Sequence, residues 1–516
     1  MDIVLAAEIF TVNATIRSRQ IEIESIDTTI QGLLRQVQQL RAKRANHLDA
    51  VAELRGSISM ARRAPDDVLA LVFEHGAAGG LADAPLVFSH VCAKWRRASF
   101  VPRVWSHIHL SSKSLDPIAK TNLWLSRALQ SPLFVTVDVQ VLNHHTLGAF
   151  ELLLERATQW RTVTLNTRFA QQANDVLYQC LRPFPHLHTL NITSFSIGVA
   201  TEQGVDELTG LADAFADAPS LSHACIVSNR FPPSIPPTVV DLSLQLSDVA
   251  SSRPSLFPAL EMLGTLPSLR NLTLVIPTQF AQVVYSNADL AQETCFHHLE
   301  RLTIDAPPDF NAVLQHIRTP VLRYLHLRST EPPLNHPHGG RGEALLQFLR
   351  SSNPPIKLLE LHDVDIRRDD FLQCFLSLPH LEELRLHETE ISNDTFLALH
   401  GPTGACPRLK RLDLRWCEQL VSQALVDLLQ SRLDPTANQR RLFDPIEEIT
   451  IINCALVDES SVLGLAQATV CSVVVRSLED HCRSRGCCNN NRYRQRLRHQ
   501  KDLGSPKRSN IKLVLD

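Results

Sequence analysis

A six-residue frame, apolar-x-x-apolar-x-apolar, recurs eleven times between residues 160 and 451 of this 516-residue chain. It reads Trp160-Val163-Leu165, Leu187-Leu190-Ile192, Val239-Leu242-Leu244, Leu269-Leu272-Leu274, Leu299-Leu302-Ile304 and Leu322-Leu325-Leu327. It continues as Ile356-Leu359-Leu361, Leu381-Leu384-Leu386, Leu409-Leu412-Leu414 and Ile446-Ile449-Ile451, with Leu221-Ala224-Ile226 a degenerate copy. Alternate residues of an extended segment share a face, so each frame predicts a short strand with one apolar side. Between frames lie helical patterns at Ala344 to Leu349, Phe371 to Leu378, Thr395 to Leu399 and Gln423 to Leu429. Strand, helix, strand means parallel strands joined by crossovers, and an array whose core grows repeat by repeat. The length alone, at about 150 residues per domain, allows three or four separate domains instead.

Anchor residues of successive frames are 18 to 37 residues apart, scattered about the leucine-rich-repeat length of roughly 20–29. The chain holds 30 Pro against 18 Gly, inverting the usual balance of about 5% to about 7%. Eight prolines, at 185, 219, 237, 267, 320, 354, 379 and 407, stand two residues before an anchor. The ring blocks a helix and biases its predecessor to extended geometry, so each is expected to end a helix and launch a strand. Over roughly residues 130–475 the array resembles leucine-rich repeats. Outward positions then include His188, Asn271, Arg301, Arg323, His326, Glu382, Glu383, Arg385, Lys410, Arg411, Asp413 and Arg415. Their mixed charge suits a protein target better than nucleic acid.

A different period governs the front. Apolar residues fall at Ile16, Ile23, Ile26, Ile30, Leu33, Val37 and Leu40, and after Arg44 and His47 again at Val51, Leu54 and Ile58. After a first step of seven, the intervals alternate three and four and make a seam of period 3.5, which drives a left-handed coiled coil. Arg44 and His47 can fix register or partner. Homodimerisation is one expectation, and a helix packed back on its own chain is the other.

Next comes ARRAPDDVLALVFEHG, then GGLADAPLVFSHVCAKWRRASFVPRVWSHIHL. Pro65 with Asp66 and Asp67 is a helix start, and Gly76, Gly79 and Gly80 end that helix. A second helix carries Phe88, Val91, Cys92 and Trp95. Ala64-Pro65, Val68-Leu69, Val72-Phe73, Val91-Cys92-Ala93-Lys94-Trp95-Arg96 and Val104-Trp105 together resemble the F-box, over about residues 61–110. Ala64 stands where the family has Leu. A coiled coil directly before the box is similar to the arrangement in a group of F-box proteins from mushroom-forming fungi. The resemblance implies docking on the Skp-family adaptor, and through it a cullin, with Pro65, Leu69, Val72, Val91 and Trp95 as adaptor-binding candidates. Phe73, Cys92 and Trp105 serve to hold so small a module together.

Chemistry is sparse. His481-Cys482 and Cys487-Cys488 lack the separated pairs of a zinc site. Neither a phosphate-binding G-x-x-x-x-G-K-[ST] loop nor a G-x-S-x-G elbow occurs, so no catalytic, metal or cofactor residue is named. Twelve scattered cysteines point to a reducing compartment. MDIVLAAEIF carries Asp2 and Glu8 and no basic start, unlike a signal peptide, and no apolar run reaches the roughly 18 residues of a membrane span. A cytoplasmic or nuclear location is expected. The formal net charge of -3 hides a basic end, since residues 483–508 hold nine Lys or Arg against Asp502. That tail reads as solvated and disordered, or as a nuclear-import or nucleic-acid contact.

The expected order is α/β overall: an N-terminal segment (1–15), a coiled-coil helix (16–60), an F-box-like helical module (61–110), a leucine-rich-repeat solenoid with parallel strands (111–475) and a basic tail (476–516). The expected function is a non-enzymatic substrate receptor of a cullin-RING ubiquitin ligase, whose repeats bind a target protein. The alternatives are a coiled-coil scaffold without a ligase link, or a nuclear protein reaching nucleic acid through its tail.

Overall fold

The computed structural model describes residues 2–476 except 82, 141–142, 195–206, 247–255, 277–292, 307–309, 330–340, 365, 390, 402–403, 418, 434–442, 453, 455 and 458–471. The basic tail and its His481, Cys482, Cys487 and Cys488 lie outside the described residues. The chain divides into two compact units, residues 1–105 and 106–516.

The first unit is helical. Helix α1 runs unbroken over Asp2–Ile58, roughly 85 Å at 1.5 Å per residue. It therefore continues through the stretch read from sequence as a separate N-terminal segment. Nothing in residues 2–15 breaks a helix, since the stretch has neither Pro nor Gly. The short α2 (Met60–Arg63) leads to α3 (Asp66–Ala78), α4 (Ala84–Val91), α5 (Ala93–Ser99) and a 3₁₀ turn over Pro102–Trp105. Pro65 precedes α3 with Asp66 and Asp67 in its first turn, where carboxylates oppose the positive helix end.

The second unit is built on one 14-stranded parallel sheet in strict chain order. All eleven frames are strands of this sheet, from Trp160–Thr167 to Glu448–Ile452. In register, one buried row runs Val163, Leu190, Ala224, Leu242, Leu272, Leu302, Leu325, Leu359, Leu384, Leu412, Ile449. Each residue continues its neighbour's row, so the core is a stack of repeats rather than one centre. Three more strands, His107–Ser111, Leu133–Val139 and Ser472–Arg476, extend the ends. The first lies inside the stretch assigned from sequence to the helical module. Trp105-Ile108-Leu110 has the frame's spacing, but its anchor belongs to the helical unit.

Helices connect most strands and bury one side: Ala149, Phe150 and Leu153 in His144–Leu154, and Phe371, Cys374 and Phe375 in Arg368–Leu376. Side-chain caps start several. Asn143 Oδ1 accepts from the Thr146 amide at 2.8 Å, and Asp116 Oδ1 from the Ala119 amide at 2.9 Å. Each satisfies an amide that has no partner within its own helix.

Proline has a more specific role than ending helices. The anchor amide donates to the carbonyl three residues back in Leu187→Phe184, Leu221→Ala218, Val239→Pro236, Leu322→Thr319, Leu381→Leu378 and Leu409→Cys406. Pro185, Pro219, Pro237, Pro320, Pro379 and Pro407 are the second residues of these turns, where a φ near −65° is pre-set. The strand starts two residues after the anchor, as at Leu381 and Glu383. The prolines thus bend the chain and drop the anchor into the core, and Leu187, Leu221, Leu381 and Leu409 are fully buried.

Candidate functional site

Two surfaces stand out, one in each unit. In the helical unit, a small aromatic core forms first. Phe73 and Phe88 stack at 4.5 Å between centroids, and Trp95 tilts against Phe73 at 4.9 Å. Trp105 is fully buried, its indole donating to the Ser99 carbonyl at 2.6 Å. The Arg96 Nε donates to the Ser89 carbonyl at 2.9 Å, tying α5 to α4. Gly76 lets the Phe88 ring approach, since a Cβ there would lie 2.8 Å from it.

Because those rings fill the interior, several aliphatic residues remain outside it. Val68, Leu71 and Val72 on α3, and Val87 and Val91 on α4, are 44–59% exposed. Leu86, Val87, His90 and Val91 line an open pocket of about 470 Å³. The five residues expected to bind an adaptor do not share one environment. Pro65, Val72 and Val91 are exposed, Trp95 is half-buried against the aromatic core, and Leu69 is buried at 4% exposure. Leu69 thus faces the module's interior and acts through the fold. Val68, Leu71 and Val87 were not chosen from sequence. Helical periodicity alone does not say which of two adjacent apolar residues, such as Val68 and Leu69, turns inward.

The second surface is the outward face of the sheet. Its central row runs Thr136, Thr164, Asn191, Cys225, Ser243, Thr273, Thr303, then His326, Glu360, Arg385, Asp413, Thr450. It is uncharged as far as Thr303 and ionic over four consecutive strands after it. Glu360 is the hub, with its side chain 5% exposed. His326 Nδ1 lies 3.0 Å from Glu360 Oε2, Arg328 Nη2 2.8 Å from Oε1, and Arg385 Nη1 3.5 Å from Oε2. Arg385 also pairs with Glu383, which pairs with Arg411 at 3.0 Å. The network so crosses from strand Tyr324–Arg328 to strand Arg411–Arg415.

Burial opposes charge on Glu360, but the His326 hydrogen bond and the Arg328 charge hold its carboxyl far below the ordinary carboxylate value. Asp413 is likewise held at about 2, against burial, by His387 and by Arg415, which donates to it at 2.6 and 2.8 Å. Glu388 adopts φ 54° just past its strand, and Asp363 and Trp416 repeat that left-handed geometry at 55° and 53°. Such a residue costs about 1 kcal/mol. Glu388 Oε1 lies 3.6 Å from His362 Nε2 and raises the imidazole's pKa against the effect of burial. Of the outward residues expected from sequence, Asn271, Arg301, His326, Glu383, Arg385, Arg411, Asp413 and Arg415 lie on strands. His188, Arg323, Glu382 and Lys410 precede their strands and form a rim, where Lys357 pairs with Glu382 at 2.9 Å.

Among the described residues no group of His, Cys, Asp and Glu is placed to hold a metal ion. Burial pushes the Cys374 and Cys406 thiols up to about 12, which leaves them as un-ionised core groups. No described helix is long and apolar enough to cross a membrane.

Frame, parallel sheet in chain order and stacked helices together define a solenoid of leucine-rich-repeat type behind a helical module. No protein-family model matches the sequence, and no curated protein is similar to it. Among solved structures the chain is similar to the crystal structure of the TLR13–ssRNA13 complex, at 13% identity and a TM-score of 0.35. The match covers 70% of this chain and 43% of that one, so the chain spans less than half of that protein's length.

Proposed function

We propose that this protein is a substrate receptor of a cullin-RING ubiquitin ligase: its helical module docks on a Skp-family adaptor and its solenoid holds the target. The carrying observation is the division of labour in the module. Phe73, Phe88, Trp95 and Trp105 suffice for a core, while Val68, Leu71, Val72, Val87 and Val91 stay exposed. Five exposed aliphatics on so small a unit point to a partner surface. The F-box resemblance of the same segment supports the adaptor as that partner. The receptor contributes proximity and orientation, and neighbouring subunits the ubiquitin transfer.

Copurification with the adaptor tests this. Val72→Asp and Val91→Asp change exposed positions and are expected to abolish retention, with the module's helical circular dichroism unchanged. Leu69→Asp is a poor probe, because it would unfold the module. If wild type retains no adaptor, or both exposed variants retain it fully, the ligase reading is wrong.

A second reading, a coiled-coil scaffold, is favoured by one observation. The seam residues of α1 from Ile16 to Ile58 named above are 42–73% exposed along the whole helix. Self-association through α1 is compatible with either reading.

A further inference from the structure

We propose that α1 pairs with α1 of a second copy of this chain as an antiparallel two-stranded coiled coil, centred on residue 35. The inference rests on the coiled-coil reading of the seam and adds orientation, register and the groups that set both.

Continuing the period back one heptad from Arg19 places Val12 in the seam, 57% exposed like the rest. One seam row then takes every seventh residue from Ile16 to Ile58. All its members are β-branched except Arg44. The other row runs from Val12 through Arg19, Ile26, Leu33, Leu40 and His47 to Leu54.

Charge decides the direction. A parallel, in-register pair would set Arg19 against Arg19 of the partner subunit and Arg44 against Arg44 of the partner subunit. Flanking the seam, Glu22 would lie beside Asp27 of the partner subunit. All three are like-charge contacts, and each occurs at the symmetric interface where it cannot be avoided.

An antiparallel pair centred on residue 35 removes them. Val12 meets Ile58 of the partner subunit and Ile16 meets Leu54 of the partner subunit, so the seam is paired from Val12 to Ile58, with residues 2–11 of α1 extending past it. Arg19, Arg44 and His47 meet the partner's Val51, the partner's Ile26 and the partner's Ile23, along which their stems can lie while the polar ends reach water. Beside the seam, Asp27 comes next to the partner's Arg41, and the two-fold axis makes that attraction twice. The acidic residues Glu22, Glu24 and Asp27 precede the basic Arg35, Arg41, Lys43 and Arg44 on the helix. The antiparallel arrangement sets residues 22–27 against residues 43–48 of the partner subunit, which brings Lys43 and Arg44 to the acidic stretch. Since the helical module follows α1 directly, the two modules then sit at opposite ends of a coil roughly 70 Å long.

The full chain is compared by sedimentation equilibrium as wild type, Asp27→Lys, Arg41→Glu and the double variant. All changes are at exposed helix positions. The wild type is expected to dimerise, each single variant to weaken the dimer about tenfold through two symmetric contacts, and the double variant to recover it. Tightening by Asp27→Lys, which in a parallel pair would face Glu22 of the partner subunit, overturns the antiparallel orientation and leaves self-association standing. Unchanged dimerisation in both single variants removes α1 as the interface. A wild type monomeric at all concentrations overturns the coiled coil itself.

Discussion

The two halves of the solenoid share one backbone plan and differ in what they place on its outer face. From Leu133 to Val275 the outward residues are mostly Thr, Asn and Ser, and the strand-to-strand contacts are neutral, as between Asn191 Nδ2 and Thr164 Oγ1 at 3.3 Å. His223 with Asp241, at 2.9 Å, is the ionic exception among the described strand residues there. From Tyr324 to Arg415 charges of alternating sign bridge every strand. The contrast extends to the backbone supports. In the first half a neutral amide, Asn174, donates to the Glu207 carbonyl at 2.8 Å and accepts from the Gly210 amide at 3.0 Å. In the second half a guanidinium does that work. Arg432, 7% exposed, donates to the carbonyls of Leu399, Ala405 and Cys406 at 2.6 to 3.2 Å. The leucine frame therefore sets the fold, and side chains outside it set how each half responds to pH, salt and substitution.

The largest effect is expected at Arg432. Replacement by Met keeps the volume and takes the guanidinium donor from the buried Leu399 and Ala405 carbonyls, a loss of about 3 kcal/mol. Urea unfolding measures it, and a midpoint within error of wild type would show that the carbonyls find other partners. Glu360→Gln should cost about 2 kcal/mol, because Arg328, Arg385 and His326 then converge on a neutral group. The partners' partial exposure keeps the figure below that of a fully buried pair. Hydrogen exchange should localise the loss to residues 324–415, and equal loss in the first half would break the contrast between the halves.

Acid should act on the second half first. Glu360 and Asp413 are depressed, so their stabilisation is complete above the ordinary carboxylate range and is lost as pH falls through their native values. For Asp413 that window runs from the unperturbed 3.8 down to about 2. His362 works in the opposite sense: its pKa is raised, so its stabilisation is present at low pH and fades as pH rises through the native value. Exchange protection followed from pH 6 to pH 2 should fall in the second half before the first. The smallest effect is expected for Asn191→Ala, below about 0.5 kcal/mol and unaltered by salt. A clear salt dependence there would show that the neutral half carries ionic coupling of its own.

Much of this was legible in the residues. Each frame residue named from sequence occupies a strand or its anchor, because a period of two and a buried row leave little choice of register. That α1 is one long helix was equally plain, because apolar steps of three and four are helical spacing and no proline interrupts them. Legibility stopped where the outcome depended on neighbours far along the chain. Leu69 and Val68 are chemically alike and adjacent, and only the tertiary packing of the module turns Leu69 inward and leaves Val68 exposed. Spacing marks the prolines as helix breakers, whereas their turns are defined by a hydrogen bond from the anchor amide that spacing does not display.

Sequence alone determined the parallel array, the long helix and the helical module, since these follow from local periodicity and from turn chemistry within a few residues. Tertiary structure decided that Glu360 is a buried hub and that Arg432 holds three carbonyls. Glu360 meets His326 and Arg385 across 34 and 25 residues of chain, and Arg432 reaches back 33 to Leu399. Contacts over such separations are fixed by the stacking of repeats, and no local pattern encodes which charges that stacking will bring together.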